Sequence, residues 1–414
     1  MMNETLNKEE MTCWEKNYGK NILPLSTFDN ENFPGTPPLE ILVLYKKTLP
    51  ILKLRDILFK TIEVYNLFSS RLIMIGDNKF ALQYCTDGVI ANPLPPVDAR
   101  YEDIHTDELI KRMVHVKTLP GEPLFAVTGI PLRDGILTGI SCSHAVADGI
   151  SLLLFLYALV SMIEGKNFLL PSPQRLFKGR PIRSDQIDKA LVPPLSSLSD
   201  EIRKKVETGT VSETFTVREY FTDDFLNQVK DEAKSKNAEH HISNHQIMTS
   251  FLLKKYHHQM LPNSDRIVLK NPINLRDIHP DIHPLYIGSA NFNNFVEFTK
   301  DEIDRMSIPQ AALRIKKAIA GMRNEQYARE IVCLSEYGIE INMDVFKKNR
   351  PPYNVESNVV SSNLTHLNDL ESMLLGTDTV SILHIGLVVQ TGFTMVKEKN
   401  GHILAQITSR YPVT

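Results

Sequence analysis

The sequence predicts a mixed α/β or α+β protein in two domains, and three observations carry that expectation. Its 414 residues exceed the ~250–300 at which a single core stops growing. Strand-like and helix-like apolar patterns alternate in both halves. A stretch holding Pro171, Pro173, Pro181, Pro193 and Pro194, with serines and charges between them, separates the halves and reads as an extended linker. The boundaries follow: an N-terminal domain at 1–165, a crossover linker at 166–212 and a C-terminal domain at 213–414.

The elements are read in order. Leu39 to Leu44 is a strand pattern. Over 54–68, Leu54, Ile57, Leu58, Ile62 and Tyr65 fall on one helical stripe. Arg71 to Ile75 and Phe80 to Tyr84 form a hairpin around Gly76-Asp77-Asn78-Lys79. Leu124 to Leu132 and Ile136 to Ser143 form another, turning at Asp134-Gly135, where glycine accepts positive φ at low cost. Gly139 on the returning strand allows close approach of another group. A strongly apolar helix follows from Ile150. The second half opens with a strand at Glu213 to Tyr220. Thr222 then caps a helix over 223–236 and Ser243 caps one over 244–257. Further strands are expected at Arg266 to Lys270, Ser381 to Gln390 and His402 to Thr408.

Composition removes several function classes. Apolar residues are 42% and charged residues 23%, with net charge −3, an ordinary globular balance without the basic face that phosphate neutralisation needs. No nucleic-acid partner is expected. The N-terminal residues lack the basic start and apolar core of a secretory signal. The longest apolar run, Ile150 to Met162, falls short of the ~20 residues of a membrane span, so a cytoplasmic protein without a span is predicted. Cys13, Cys85, Cys142 and Cys333 are scattered, which supports neither a disulfide framework nor a thiolate zinc site.

The chemistry concentrates at His144-Ala-Val-Ala-Asp148-Gly149, at the end of one strand and just before a helix. A rigid scaffold there aims a short loop, and histidine is the side chain best matched to proton transfer near neutral pH. Asp148 has two open roles: direct contact with the imidazole, or fixing the loop by pairing with a distant cation. Other candidates are weaker. Cys142 and His144 share a strand face, but alternate residues lie ~6–7 Å apart, too far for a nucleophile pair. His241 and His245 have i, i+4 spacing without the HExxH context, and Pro280 interrupts His279 and His283. No metal is expected. Walker, GxGxxG and GxSxG motifs are absent.

His144 to Gly149 resembles the HxxxDG motif of the CoA-dependent acyltransferases related to chloramphenicol acetyltransferase and to condensation domains. More of the chain is similar to one branch, the BAHD acyltransferases. Leu23-Pro24-Leu25-Ser26-Thr27-Phe28-Asp29 resembles their LPLSNLD segment, and Leu67-Phe68-Ser69-Ser70-Arg71-Leu72 their "yPLaGRL" segment. Asn274-Leu275-Arg276 with Pro280 and Tyr286-Ile287-Gly288 resembles "nvRsR…P…YfGN". The resemblance implies an α/β fold of two similar chloramphenicol-acetyltransferase-like domains, each a mixed sheet flanked by helices, joined by a crossover loop. It implies His144 as general base, Asp148 paired with Arg276 as a brace, and Gly149 as structural support of the site. It further implies a monomer that takes acyl-CoA as co-substrate, not as a resident cofactor, and an alcohol or amine acceptor.

Two departures stand out. Asn368 to Gly376 replaces the family's DFGWG, and Ser289 replaces the asparagine after Gly288. Ser361, Ser362 and Asn363 lie near the family's oxyanion segment and also resemble a strand of condensation-type relatives. They are either oxyanion or substrate contacts or a polar strand end. Beside the acyl-CoA transferase, two readings therefore stay open: acyl transfer from a carrier-protein thioester, and a catalytically silent scaffold of the same fold.

Overall fold

In the computed structural model the described residues are 22–25, 38–76, 79–85, 87–104, 106–172, 215–237, 241–329, 356–365, 380–387, 391–397 and 402–414. The first half contains β1 (Ile22–Pro24), β2 (Leu39–Tyr45), α1 (Ile51–Val64), β3 (Ser70–Gly76), β4 (Lys79–Tyr84), β5 (Val89–Pro93), α2 (Thr106–Lys111), β6 (Phe125–Pro131), β7 (Ile136–Cys142) and α3 (Gly149–Ile163). The second contains β8 (Phe215–Phe221), α4 (Asp223–Lys236), α5 (Asn244–Met260), β9 (Arg266–Asn274), β10 (Asn291–Thr299), α6 (Lys300–Arg305), α7 (Ile308–Met322), β11 (Asn358–Asn363), β12 (Val380–Leu387), β13 (Gly392–Lys397) and β14 (Ile403–Ser409). Mixed sheets flanked by helices give the expected α/β class. Of the proposed linker, 173–212 lies outside the described residues, as do Ser26 to Asp29 and Asn368 to Gly376.

Two sheets organise the chain. The first has order β12-β2-β7-β6-β5 and the second β10-β9-β11-β13-β14-β8; a small third sheet pairs β1, β4 and β3. β12 comes from the second half yet runs antiparallel to β2, Val380 opposite Tyr45 and Leu387 opposite Leu39. The last quarter of the chain thus contributes to both large sheets.

Caps set the helix starts. Thr222 accepts from the Phe225 amide at 3.3 Å, and Ser243 and Gln246 form a reciprocal capping box at the start of α5, as the sequence predicts. α1 begins and ends earlier than the apolar stripe suggests. Pro50 precedes its first residue, a position where proline's missing N–H costs nothing, and the chain tightens into a 3-10 turn over Asn66–Ser69. α3 is apolar on nearly every face and is buried accordingly. Its Phe155 packs within 4.8–5.0 Å of the Phe68 and Phe125 rings, which are themselves 4.7 Å apart.

The β6–β7 hairpin that delivers the candidate site is buried along almost its whole length. Gly139 on β7 is needed there: a Cβ would stand 2.5 Å from Met113 Cγ. Gly139→Ala is expected to lower unfolding free energy by about 1–3 kcal/mol through overpacking. The loss should shrink in a Met113→Ala background, measured as a double-mutant cycle in urea. Additive effects would show that the methionine is not the obstacle.

Candidate active site

His144 projects from a tight turn. β7 ends at Cys142, and the Ser143 amide donates to the Leu124 carbonyl at 2.8 Å, holding the strand end to its neighbour. Ser143 Oγ accepts from the Ala145 amide at 3.1 Å and lies 2.9 Å from Thr118 Oγ1, while the Val146 amide donates to the Ser143 carbonyl at 3.1 Å. Ala145, Val146 and Ala147 are buried. From Ser141 to Asp148, His144 is the one residue with appreciable exposure, so the turn is anchored by its small apolar members and presents the imidazole.

Asp148 ends the turn and caps α3, accepting from the Ser151 amide at 2.9 Å. Its carboxylate also holds Arg276, from the 3-10 turn after β9. Arg276 Nη1 donates to Asp148 Oδ2 at 2.6 Å and Nη2 to Oδ1 at 3.0 Å. Both side chains are nearly sealed, 3% and 4% exposed. The Ala290 amide donates to Oδ2 at 3.0 Å, and Ser151 Oγ lies 2.8 Å from Oδ1. Arg276 spends its other N–H groups on the Tyr286 and Gly288 carbonyls and Asn274 Oδ1. Gly288 has φ 140°, a conformation that favours glycine, and this places its carbonyl at the guanidinium. Burial alone would raise the Asp148 carboxyl, but the Arg276 charge and these hydrogen bonds outweigh it and hold the group below the usual carboxylate range.

Both Asp148 oxygens are therefore engaged by Arg276, Ser151 and Ala290. The distant-cation arrangement is the one the structure adopts, across 128 residues of sequence. Gly149 opens α3, and a Cβ there would meet nothing within 4 Å; its contribution is not steric.

The electrostatics favour a neutral imidazole. Burial pushes the His144 pKa down to about 4; the Asp148 charge opposes this and the Lys270 charge reinforces it. At neutral pH the ring carries a free lone pair. Cys142 is fully buried and burial pushes its thiol well above the ordinary cysteine value, so no thiolate competes.

The other candidates separate. Ser361 on β11 turns toward α5, its Oγ 2.7 Å from Thr249 Oγ1 and 3.0 Å from His245 Nε2. Asn363 Oδ1 accepts from the Thr365 amide and hydroxyl at 3.1 and 2.8 Å. Ser362, between them, points to the opposite face by strand alternation. His241 precedes the Ser243 cap and stands outside α5, so it shares no helix face with His245. His279 and His283 each accept, through Nδ1, an amide two residues on, Asp281 at 3.2 Å and Leu285 at 3.0 Å.

Lys270 was missed by sequence reasoning. It sits on β9 between the core residues Leu269 and Asn271, opposite Val360 of β11. Burial lowers its own pKa, and its charge reaches His144. No carboxylate among the described residues pairs with its amino group. A lysine inside the apolar strand Arg266–Asn274 was the available signal.

Removing one partner of a buried ion pair strands the other charge. Asp148→Asn and Arg276→Met are each expected to destabilise the fold by about 3–5 kcal/mol, read from denaturant midpoints. Changes under about 1 kcal/mol, the scale of an exposed pair, would remove the pair as the brace of this loop.

The comparisons with known proteins fit this arrangement. The family model described as "Transferase family" matches residues 4–370. Spermidine coumaroyl-CoA acyltransferase of Arabidopsis thaliana is 24% identical over 331 residues, covering 74% of this chain and 70% of the relative. The solved structure of F. sporotrichioides TRI101 complexed with coenzyme A and T-2 superposes with TM-score 0.65 at 13% identity, covering 94% of this chain and 95% of that one. Vinorine synthase superposes with TM-score 0.62 at 14% identity, covering 94% and 92%. At such identities the structural matches speak for the fold, and the match over most of the chain speaks for the family: the protein belongs to the BAHD-type Transferase family and is an acyltransferase.

Proposed function

We propose that the protein transfers an acyl group from acyl-CoA to a small alcohol or amine, with His144 as general base. The observation that carries this reading is the neutral, partly exposed imidazole held on a turn that is otherwise buried and braced. The relative named for spermidine and coumaroyl-CoA supports an amine acceptor and a CoA thioester donor.

The steps balance without a covalent acyl-enzyme. The acceptor oxygen or nitrogen attacks the thioester carbonyl carbon as its proton passes to the His144 ring nitrogen. The tetrahedral oxyanion collapses, the C–S bond breaks, and the departing thiolate takes the proton back from the imidazolium. Asp148 takes no proton in this scheme, because Arg276 keeps it ionised. Its work is positional, and so is that of Arg276. Ser362, on the β11 face turned away from α5, is better placed than Ser361 for an oxyanion contact, since the Ser361 hydroxyl is already engaged by Thr249 and His245.

His144→Ala should lower turnover by about 10²–10⁴ with folding intact, measured as thiol release from a panel of acyl-CoA donors with alcohols and amines. Unchanged turnover would refute the base. Donor-dependent release seen only with a carrier-bound thioester would move the reading to condensation-like transfer.

The pH dependence has a definite sign. Only the neutral imidazole accepts a proton, so kcat/KM should stay level from neutral pH down toward pH 5 and fall with a midpoint near 4, not near the ordinary histidine value of about 6.5. Lys270→Met removes a charge that opposes His144 protonation, so its acid limb should move upward. A limb unmoved by that substitution would show that Lys270 does not tune the base.

A further inference from the structure

The C-terminal end of α5 carries a cluster that acyl transfer does not use. His257 and His258 lie in its last turn, and Asp304 of α6 faces them. With a helical rise of ~1.5 Å per residue, His257 is roughly 18 Å along the helix from His245, which contacts Ser361.

His257 is fully buried. Its Nδ1 lies 2.7 Å from the Leu253 carbonyl oxygen. A carbonyl only accepts, so Nδ1 carries a ring proton, and in the neutral imidazole Nε2 carries the lone pair. That Nε2 has no hydrogen-bond partner among the described residues and stands 3.3 Å from Asp304 Oδ1. The buried Nε2 lone pair thus faces a carboxylate whose own side chain is 47% exposed, and a lone pair so placed is unfavourable unless a positive charge joins the two. His258 Nε2 closes the triangle 3.0 Å from Asp304 Oδ2, and the three donor atoms lie within 4.8 Å of one another.

The geometry points to a divalent transition-metal site, of the kind Zn²⁺ fills, formed by His257 Nε2, His258 Nε2 and an Asp304 carboxylate oxygen. Two imidazoles and a carboxylate are a zinc ligand set, and bonds of about 2.0–2.1 Å put tetrahedral ligands about 3.3–3.4 Å apart. The 3.3 Å between His257 Nε2 and Asp304 Oδ1 is such an edge. The Nδ1–H to carbonyl bond of His257 is the outer contact that fixes the tautomer of a ligating imidazole. His258, 61% exposed, carries its ring proton on Nδ1 toward water when Nε2 binds the metal, and water fills the fourth position. Lys254 Nζ donates to the Ile303 and Asp304 carbonyls at 2.7 and 3.1 Å, which holds the turn bearing the carboxylate. The ion clips α6 to the end of α5.

The test uses the full-length, tag-free chain, stripped with a chelator and titrated with Co²⁺, then with competing Zn²⁺. One equivalent of cobalt with the visible bands of a four-coordinate ion, displaced by zinc, is expected. His258→Ala and Asp304→Asn change side chains at the exposed side of the cluster and should each weaken binding by at least ~10-fold, with circular dichroism showing both folded. Absence of stoichiometric uptake by the wild type, or wild-type affinity retained in either variant, would overturn the site. Neither readout depends on acyl transfer, so this result is separable from the fate of His144.

Discussion

The ion pair between Asp148 and Arg276 is the constraint on which the rest of the site depends. Removing two charges from water costs several kcal/mol per ion, and attraction in a low-dielectric interior repays that only with good geometry and full hydrogen bonding. Here both conditions hold. Two guanidinium nitrogens meet the two carboxylate oxygens, and the remaining groups find Ser151, Ala290, Tyr286, Gly288 and Asn274. Since Asp148 also caps α3, the start of that helix, the end of β9 and the loop from Tyr286 to Ala290 are fixed by one cluster. The turn carrying His144 lies between this cluster and β7, with little freedom left at either end.

The same pair divides the charges usefully. A carboxylate facing an imidazole would raise its pKa and favour the cation. Arg276 engages both oxygens of Asp148, so the carboxylate acts on His144 only through space, and burial wins. Lys270 pushes in the same direction as burial from the second sheet. The imidazole is thereby kept neutral by three features of the fold: desolvation, a neutralised neighbour and a nearby cation. A lowered pKa also makes the ring a weaker proton acceptor than free histidine, so a general base in this position would trade driving force for the correct protonation state.

Features that depend on a few neighbouring residues were legible in the sequence. The Thr222 and Ser243 caps, the β3–β4 and β6–β7 hairpins and the His144 turn all rest on contacts within a few positions, and side-chain period and capping chemistry report those directly. Features that depend on which elements meet were not. β10 has the period-2 burial of a strand, but its repeated asparagines are poor strand formers. The direction of Ser361 follows from register on β11, where one residue reverses the face. Lys270 looked like a strand-end lysine because β9 continues four residues beyond it. Arg276 was placed against Asp148 by family likeness; no local pattern in either segment names the other.

β12 makes the same point at the scale of the whole chain. Without it β2 would be an open edge of the first sheet, a row of unpaired N–H and C=O groups. With it the second half closes the sheet from which the His144 turn emerges. Arg276 makes the second such stitch, a cation from the second half neutralising a carboxylate buried in the first. The first half alone would hold both an open edge and a buried charge without its partner, two separate reasons for it to remain incomplete. The His144 turn is therefore held by residues from both halves, and the candidate site belongs to the assembled chain, not to the segment that carries its motif.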